Sequence, residues 1–156
     1  RIKLNDFNRG EILLYNEEKG EYCRHMERDA AGSYRPPEEY AYKPINEQVD
    51  VYSFGNNIYA LLTGLWPDFQ FDDDNIKNFQ EKIIDGYQPP IPEGYAKRSY
   101  AEEKLVELLE KCWEYDPNDR ITIFEATRFL REACVTQEQE RLDDAYSNDG
   151  NEEFLE

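Results

Sequence analysis

The most constraining feature of the sequence is an apolar stretch that runs from Glu47 to Gly64. Its apolar residues recur at helical spacing and spread over nearly all faces of the predicted helix: Val51, Tyr52, Phe54, Ile58, Tyr59, Ala60, Leu61 and Leu62. Gly64 is placed to end the helix before Pro67. Because a helix that is apolar nearly all round needs cover on every side, we predict the central helix of a mainly α domain.

Three further helices are predicted to follow. The first begins near Asp74 or Asn75 and stops at Gly86, and its single apolar stripe is typical of a surface helix. The other two begin at capping boxes, in which a hydroxyl accepts from a free amide of the first turn and a glutamate reaches back to the cap's own N–H. The boxes pair Ser99 with Glu102 and Thr122 with Glu125.

The N-terminal part of the chain contains little predicted helix. Residues 1–4 alternate apolar and basic side chains as in a short strand, and "EILLYNEEKGEYC" predicts a β-hairpin with its turn at residues 18–20. Residues 24–46 are predicted to be largely irregular, since Pro36 and Pro37 remove two backbone donors and force an extended path.

The composition indicates a folded and strongly acidic protein. The net charge is −17, and 39% of the residues are hydrophobic, which is enough to build a core. Residues 138–156 carry eight acidic side chains against Arg141 alone, so we predict a fraying helix and then a disordered acidic tail over residues 135–156. Because nucleic acid and anionic membranes are polyanions, this charge argues against both as partners, whereas a basic partner for the tail stays open.

The cysteines indicate the compartment. Cys23, Cys112 and Cys134 are far apart and unaccompanied by histidine clusters, so neither a disulfide framework nor a zinc site is indicated. We therefore expect a reducing compartment, either the cytoplasm or the intracellular face of a membrane protein. No apolar run reaches the roughly 20 residues that span a bilayer. Since the chain begins at Arg1, we expect a piece of a longer protein, whose membrane anchoring stays open.

Four segments occur in an order that resembles the second half of a protein kinase domain. They are "KLNDFN", "YRPPEE", "DVYSFGNNIYALLTG" and "CWEYDPNDRIT". They are similar to the metal-binding Asp-Phe-Gly segment, the Ala-Pro-Glu segment that ends the activation loop, the central helix of the large lobe, and its closing helices. The resemblance covers residues 1–134. It implies a mainly α fold, the large C-terminal lobe of a kinase, built as a helical bundle with a short β-hairpin near the N-terminus.

The resemblance implies a nucleotide and metal site at the start of the chain. Asp6 matches the aspartate that holds Mg²⁺ against the phosphates of ATP, a role that suits a hard carboxylate oxygen; the alternative is an aspartate that caps a turn after a strand. Phe7 matches the phenylalanine whose packing distinguishes active from inactive arrangements. Asn8 stands where the family has glycine. Because asparagine tolerates positive φ, the backbone beside Asp6 can keep its conformation, and the segment retains Asp6 as its metal ligand.

The same resemblance implies three structural roles. Glu38 matches the glutamate of Ala-Pro-Glu, and Arg120 matches the arginine that pairs with it, which suits the bidentate geometry of guanidinium and carboxylate. Asp50 matches an aspartate that hydrogen-bonds the backbone of the catalytic loop. Its alternative is an acidic residue favoured at a helix N-terminus.

The catalytic loop itself is expected upstream of Asp6, outside these 156 residues. "HMERD", residues 25–29, has a similar order of letters but follows Asp6 and has Tyr34 where an asparagine should stand, so we interpret His25 as a surface residue of the activation segment. The N-terminal lobe of the same parent chain is therefore the expected partner. Residues 1–156 alone are expected neither to hold ATP tightly nor to transfer phosphate.

The sequence says least about the activating phosphosite and about which hydroxyl groups the kinase phosphorylates. Ser33 is the only Ser or Thr between Asp6 and Glu38, which makes it the leading candidate for an activating phosphosite, with an ordinary turn serine as the alternative. Further candidates are Tyr15, Tyr22 and Tyr34. The segments "CW" and "DVYSFG" resemble tyrosine-kinase-like serine/threonine kinases, so the implied reaction is transfer of the γ-phosphoryl group of ATP to Ser or Thr hydroxyls of a protein substrate. A pseudokinase that acts as a binding or scaffolding module is the alternative.

Overall fold

The computed structural model describes residues 10–26, 30–71 and 75–149. In chain order, its elements are strands β1 (Tyr15–Asn16) and β2 (Glu21–Tyr22) and helices α1 (Pro37–Tyr40), α2 (Gln48–Thr63), α3 (Ile76–Ile84), α4 (Tyr100–Cys112) and α5 (Ile123–Asp149). A 3₁₀ turn at Tyr95–Lys97 precedes α4. The predicted mainly α fold is confirmed, and none of the helices among these residues is long and apolar enough to cross a bilayer.

The hairpin forms where it is predicted. Its strands are antiparallel, with Tyr15 opposite Tyr22, and the two rings meet edge to face with centroids 5.1 Å apart. Asn16 closes the turn, because its side-chain oxygen accepts from Lys19 N–H at 3.0 Å and its backbone oxygen accepts from Gly20 N–H at 2.9 Å.

α2 supplies the centre of the core. Its residues Val51, Ile58 and Tyr59 are at most 2% exposed. The helix ends at Gly64, whose φ of +73° is left-handed and whose N–H donates to the Ala60 carbonyl at 2.9 Å. The predicted helix and its glycine end are confirmed.

One face of α2 has no cover from the described residues. Asp50, Asn57 and Leu61 are exposed at helical spacing, and Leu61 is 75% exposed. The described elements pack against the other sides of α2. We call Asp50, Asn57 and Leu61 the open face of α2.

The larger core joins α2, α4 and α5. Its fully buried members are Val51, Tyr52, Ile58, Tyr59, Leu108, Leu109, Cys112, Trp113 and Ala126. The Trp113 indole N–H donates to the Asn56 side-chain oxygen at 2.8 Å. A β-carbon on Gly55 would lie 2.9 Å from the Trp113 ring, so glycine at this position lets α2 and α4 approach closely.

A smaller core connects α3 with α1 and with the segment before it. It contains Ala30, Tyr40, Phe79 and Ile83, and Phe71 packs against it with its ring centroid 5.1 Å from that of Phe79. This cluster fixes the position of α3 relative to the loop that leads into α1.

The capping box of α5 forms, whereas at α4 the Ser99 hydroxyl caps the helix but the Glu102 carboxylate binds that hydroxyl and not the Ser99 N–H. At α5, Glu125 N–H donates to the Thr122 hydroxyl at 3.2 Å, and Thr122 N–H donates to the Glu125 carboxylate at 2.9 Å. At α4, Glu102 N–H donates to the Ser99 hydroxyl at 3.2 Å, and that hydroxyl donates to the Glu102 carboxylate at 3.0 Å.

α5 extends well into the acidic segment. It continues to Asp149, so residues 135–149 of the predicted tail are helical. Residues 150–156 lie outside the described part of the chain, and disorder there stays a prediction.

Candidate functional site

Asp6, which is predicted to hold the metal ion and the nucleotide, lies outside the described part of the chain, as do its neighbours Phe7 and Asn8. The predicted roles of all three residues stay predictions. Among residues 10–26, 30–71 and 75–149, no group of three His, Cys, Asp or Glu side chains could hold a metal ion. The carboxylate of Asp6 remains the one metal ligand proposed within this chain, and its chemistry fits Mg²⁺.

The predicted pair of Glu38 and Arg120 is present in the structure. Arg120 Nη1 lies 2.7 Å from Glu38 Oε1 and Nη2 lies 3.2 Å from Oε2, which is a bidentate arrangement. The two side chains are buried, since Arg120 is 2% and Glu38 is 5% exposed. The bond joins α1 to the loop before α5 across 82 positions of sequence.

Arg120 has a partner for each of its N–H donors. Besides Glu38, its guanidinium donates to the backbone oxygens of Gln48 at 2.7 Å, Glu114 at 3.0 Å and Tyr115 at 3.4 Å. The guanidinium also lies 5.0 Å from the centre of the Tyr52 ring. Because its planar fork reaches every acceptor at once, Arg120 ties together α1, the start of α2 and the turn after α4.

A second buried ion pair lies near the first and was not predicted. Arg35 and Glu39 form a salt bridge through Arg35 Nη1 and Glu39 Oε1, and both residues are at most 9% exposed. Arg35 Nε also donates to the Ala31 carbonyl at 2.7 Å. The sequence did contain one sign of this pair, because Arg35 and Glu39 are four residues apart, as in ion pairs along a helix. Pro36 and Pro37 lie between them, however, so the spacing did not indicate a helix.

Residues 30–35, which we call the anchored segment, are held through their carbonyl groups. The Gly32 carbonyl accepts from the Tyr40 hydroxyl at 2.7 Å and from the Gln80 amide at 2.8 Å. The same Gln80 amide also donates to the Ala30 carbonyl at 3.3 Å. Helices α1 and α3 therefore both position this segment.

α2 holds the far end of the anchored segment. The Tyr34 carbonyl accepts from the Asn56 amide at 2.7 Å and from the Ser53 hydroxyl at 3.2 Å. Gly32 allows the bend between the two attachment points, since its φ is +88° and a β-carbon there would lie 2.6 Å from the Tyr34 ring. Sequence reasoning missed Asn56 and Gln80, because nothing in their local pattern reports a partner 22 or 50 positions away.

The candidate phosphosites differ in their surroundings. Ser33 is half-buried inside the anchored segment, whereas Tyr34 beside it is 50% exposed and lies 5.2 Å from the Arg35 guanidinium. Tyr15 and Tyr22 are exposed on the hairpin.

His25 has a structural role that the sequence did not predict. Its backbone N–H donates to the Ile45 carbonyl at 2.9 Å, and Ile45 N–H donates back at 2.8 Å. The residue is half-buried, so the interpretation of His25 as a surface residue is incomplete. This bridge connects the end of the hairpin to the loop before α2.

Asp50 lies in the first turn of α2 on its open face. Nearby protein atoms displace part of the hydration of its carboxylate and raise its pKa. No side chain within the described ranges forms an ion pair with this carboxylate. A carboxylate with these properties can accept hydrogen bonds from a segment that packs on the open face.

Comparison with known proteins matches most of this chain to protein kinases. The family model described as protein kinase domain matches residues 1–130. The dual specificity protein kinase shkE of Dictyostelium discoideum is 28% identical over 151 residues, which are 92% of this chain and 19% of that protein.

Two further relatives come from an animal and a plant. The receptor-interacting serine/threonine-protein kinase 4 of Mus musculus is 32% identical over 73% of this chain and 14% of its own length. The SNF1-related protein kinase catalytic subunit alpha KIN12 of Arabidopsis thaliana is 32% identical over 80% of this chain and 22% of its own length. The chain thus spans between 14% and 22% of the length of these curated relatives.

Proposed function

Because this chain belongs to the protein kinase family, we propose that it forms most of the large lobe of an ATP-dependent protein kinase, whose catalytic loop is supplied by another part of the parent protein. The proposed reaction is transfer of the γ-phosphoryl group of ATP to a hydroxyl group of a protein substrate. The single observation that carries the proposal is the buried bidentate pair of Glu38 and Arg120, which resemblance to the family assigned to these two positions.

Asp6 is the proposed ligand of Mg²⁺ in this chain. The metal ion, when bound with ATP, would neutralise charge on the phosphate oxygens. Asp6 contributes a hard carboxylate oxygen, and Asn8 provides a residue that tolerates the backbone freedom required beside it. Phe7, which lies between them in the sequence, is the proposed residue whose packing distinguishes active from inactive arrangements of the kinase.

The open face of α2 is the proposed contact for the rest of the kinase domain. Asp50 presents its carboxylate there, and Leu61 presents an apolar side chain. A backbone segment with free N–H groups would satisfy Asp50, and burial of Leu61 would add hydrophobic stabilisation. We assign this contact to the catalytic loop and to the neighbouring part of the domain, which includes the N-terminal lobe.

Serine and threonine are the favoured acceptors. Two observations support them: the segments "CW" and "DVYSFG", and the name of the mouse relative, which is a serine/threonine kinase. The Dictyostelium relative is named a dual specificity kinase, so transfer to tyrosine is the competing proposal.

Ser33 is the proposed site of regulatory phosphorylation. The proposed location is a reducing compartment, either the cytoplasm or the intracellular face of a membrane.

A scaffolding pseudokinase is the second candidate function. Asn8 in place of glycine is the observation that favours it, because a side chain beside the metal ligand costs about 1 kcal/mol or more in a left-handed conformation. A pseudokinase would retain the anchors Glu38 and Arg120, since these stabilise the fold.

A phosphorylation assay on the full-length parent protein tests the proposal. Wild type and Asp6→Ala are incubated with Mg²⁺, labelled ATP and a generic protein substrate, and the labelled amino acids are identified after hydrolysis. We expect wild type to produce phosphoserine or phosphothreonine and Asp6→Ala to lose at least about 100-fold in rate, since removal of one major electrostatic contributor costs about that much. Equal labelling by both proteins would remove Asp6 from the mechanism, and no labelling by wild type would favour the pseudokinase.

A further inference from the structure

The outer side of α5 carries an unpartnered stripe of apolar side chains. The core contacts of this helix lie on its opposite side and come from Ala126, Phe129 and Leu130. The exposed fractions of the stripe residues are 81% for Phe124, 70% for Val135, 37% for Leu142 and 77% for Tyr146. We call these four residues the outer stripe.

The spacing of the outer stripe places its members on one line. Successive residues of an α-helix are rotated by about 100°, so residues 11 apart return to within about 20° of the same direction. Phe124, Val135 and Tyr146 have this separation, and Leu142 lies one turn before Tyr146. From Phe124 to Tyr146 the stripe is about 33 Å long at about 1.5 Å per residue.

Three of the four stripe residues are symmetric about Val135, whereas Leu142 has Arg128 at its symmetric position. Phe124 and Tyr146 lie 11 residues on either side of Val135. When two α5 helices lie antiparallel with a two-fold axis beside Val135, each Phe124 therefore meets Tyr146 of the second copy. Such a self-complementary patch has the form that a two-fold dimer requires.

The charges beside the stripe match the same arrangement. Arg128 and Arg131 lie in its N-terminal half; within the described part of the chain Arg131 forms no ion pair, and Arg128 interacts electrostatically with Glu125. The C-terminal half carries Glu138 and Asp143, which within the chain interact with Arg141 and with Gln139. In the antiparallel register Arg131 lies one position from Glu138 of the second copy, and Arg128 lies one position from Asp143.

We propose that the outer stripe is a dimerisation surface and that its occupant is the α5 helix of a second copy of this chain, packed antiparallel. The apolar side chains of both stripes would leave water in the dimer, and the ion pairs between copies would select the antiparallel register over the parallel one. Exposed ion pairs contribute little free energy, so the complex is weak, with a Kd on the order of 1–100 μM.

A substitution at the symmetry axis tests the surface. Analytical ultracentrifugation of the full-length parent protein measures its mass as a function of concentration. Val135→Asp places two carboxylates together at the axis, so we expect its dimer Kd to rise at least about tenfold. Gln137→Asp adds the same charge on the other side of α5, and we expect it to dimerise like wild type.

A charge exchange tests the register. Arg131→Glu and Glu138→Arg each place like charges opposite one another in their own dimers, so we expect each variant alone to dimerise more weakly than wild type. An equimolar mixture of the two restores opposite-charge pairs and should form heterodimers. A wild type that stays monomeric up to about 200 μM, a Val135→Asp dimer as tight as wild type, or a mixture without rescue would each overturn the proposal. These measurements report mass and are independent of kinase activity.

Discussion

At the scale of the residue, Arg120 shows how a buried charge is accommodated. Its guanidinium contacts the Glu38 carboxylate and three backbone oxygens, and it lies over the Tyr52 ring. A buried cation without these partners would cost several kcal/mol of desolvation. Lysine offers a single ammonium group that cannot reach this set of acceptors, so the position requires arginine.

Removal of either member of this pair should destabilise the fold strongly. Glu38→Gln keeps the shape of the side chain but leaves Arg120 as an uncompensated buried charge, so we expect the free energy of unfolding to fall by about 3–5 kcal/mol. Arg120→Lys should also lose several kcal/mol. Urea denaturation of the parent protein measures both, with Glu47→Gln as the exposed control. A loss below about 1 kcal/mol for Glu38→Gln would contradict the anchoring role.

The Cys112 thiol should make the fold sensitive to alkaline pH. Burial raises its pKa from 9.0 to about 12, so the folded protein holds this proton where the unfolded chain releases it. Stability contributed by the neutral thiol is complete below pH 9 and is lost progressively between pH 9 and about 12. Burial also raises the pKa of Tyr40 and of Tyr52, which acts in the same direction above pH 10.

Denaturation curves between about pH 7 and about pH 10.5 measure this loss. Cys112→Ala should flatten the fall of stability with pH, whereas replacement of the exposed Cys134 by alanine should leave the slope unchanged. An identical slope in wild type and Cys112→Ala would show that Cys112 does not titrate in this way.

At the scale of the element, the anchored segment is positioned by three helices. α1 contributes the Tyr40 hydroxyl, α3 contributes Gln80, and α2 contributes Ser53 and Asn56. None of these contacts requires a phosphate group. The end of the proposed activation segment is therefore fixed by side chains that are present in the unmodified chain, and a phosphate on Ser33 would act on a segment that is already ordered.

Loss of the Gln80 amide should loosen this segment selectively. Gln80→Met keeps the length of the side chain but removes the bonds to Ala30 and Gly32, so amide hydrogen exchange in residues 30–35 should accelerate about threefold to tenfold, which corresponds to about 1 kcal/mol. Gln88→Met is the matched control, because it removes a similar bond to the Trp113 carbonyl, which lies outside the anchored segment. Equal acceleration by both variants would show general destabilisation instead of a local role.

Helices α2 to α5 were predictable from the sequence because their signals are local. Capping boxes, Gly64 and the apolar spacing of α2 each act within one or two turns of a helix. The short helix α1 was predicted as irregular chain, and that prediction is wrong for Pro37–Tyr40: only Pro36 is extended, and a proline at the first helical position lacks an N–H that would have no partner there anyway.

The pair of Glu38 and Arg120 spans 82 positions and was predicted only through resemblance to the kinase family. Asn56 and Gln80 have partners 22 to 50 positions away, and no local pattern reports such contacts.

At the scale of the whole molecule, two surfaces lack cover from the described residues. The open face of α2 carries the Asp50 carboxylate and an exposed leucine, and we assign it to the upstream part of the kinase domain. The outer stripe of α5 lies on the far side of that helix from the core, and we assign it to a second copy. The sequence alone did not predict either surface, because exposure depends on which elements pack together.

We propose that this chain is the metal-binding half of a kinase that uses nucleotide. Calorimetric titration of the full-length parent protein with ATP, with and without Mg²⁺, tests this proposal. Wild type is compared with Asp6→Ala and with a matched control, Asp116→Ala, which removes an exposed carboxylate in the turn after α4. We predict that Mg²⁺ increases the ATP affinity of wild type and of Asp116→Ala by at least about tenfold and has little effect on Asp6→Ala. An equal increase in all three proteins would show that Asp6 does not hold Mg²⁺ against ATP, and no ATP binding by wild type would show that this kinase domain does not use nucleotide.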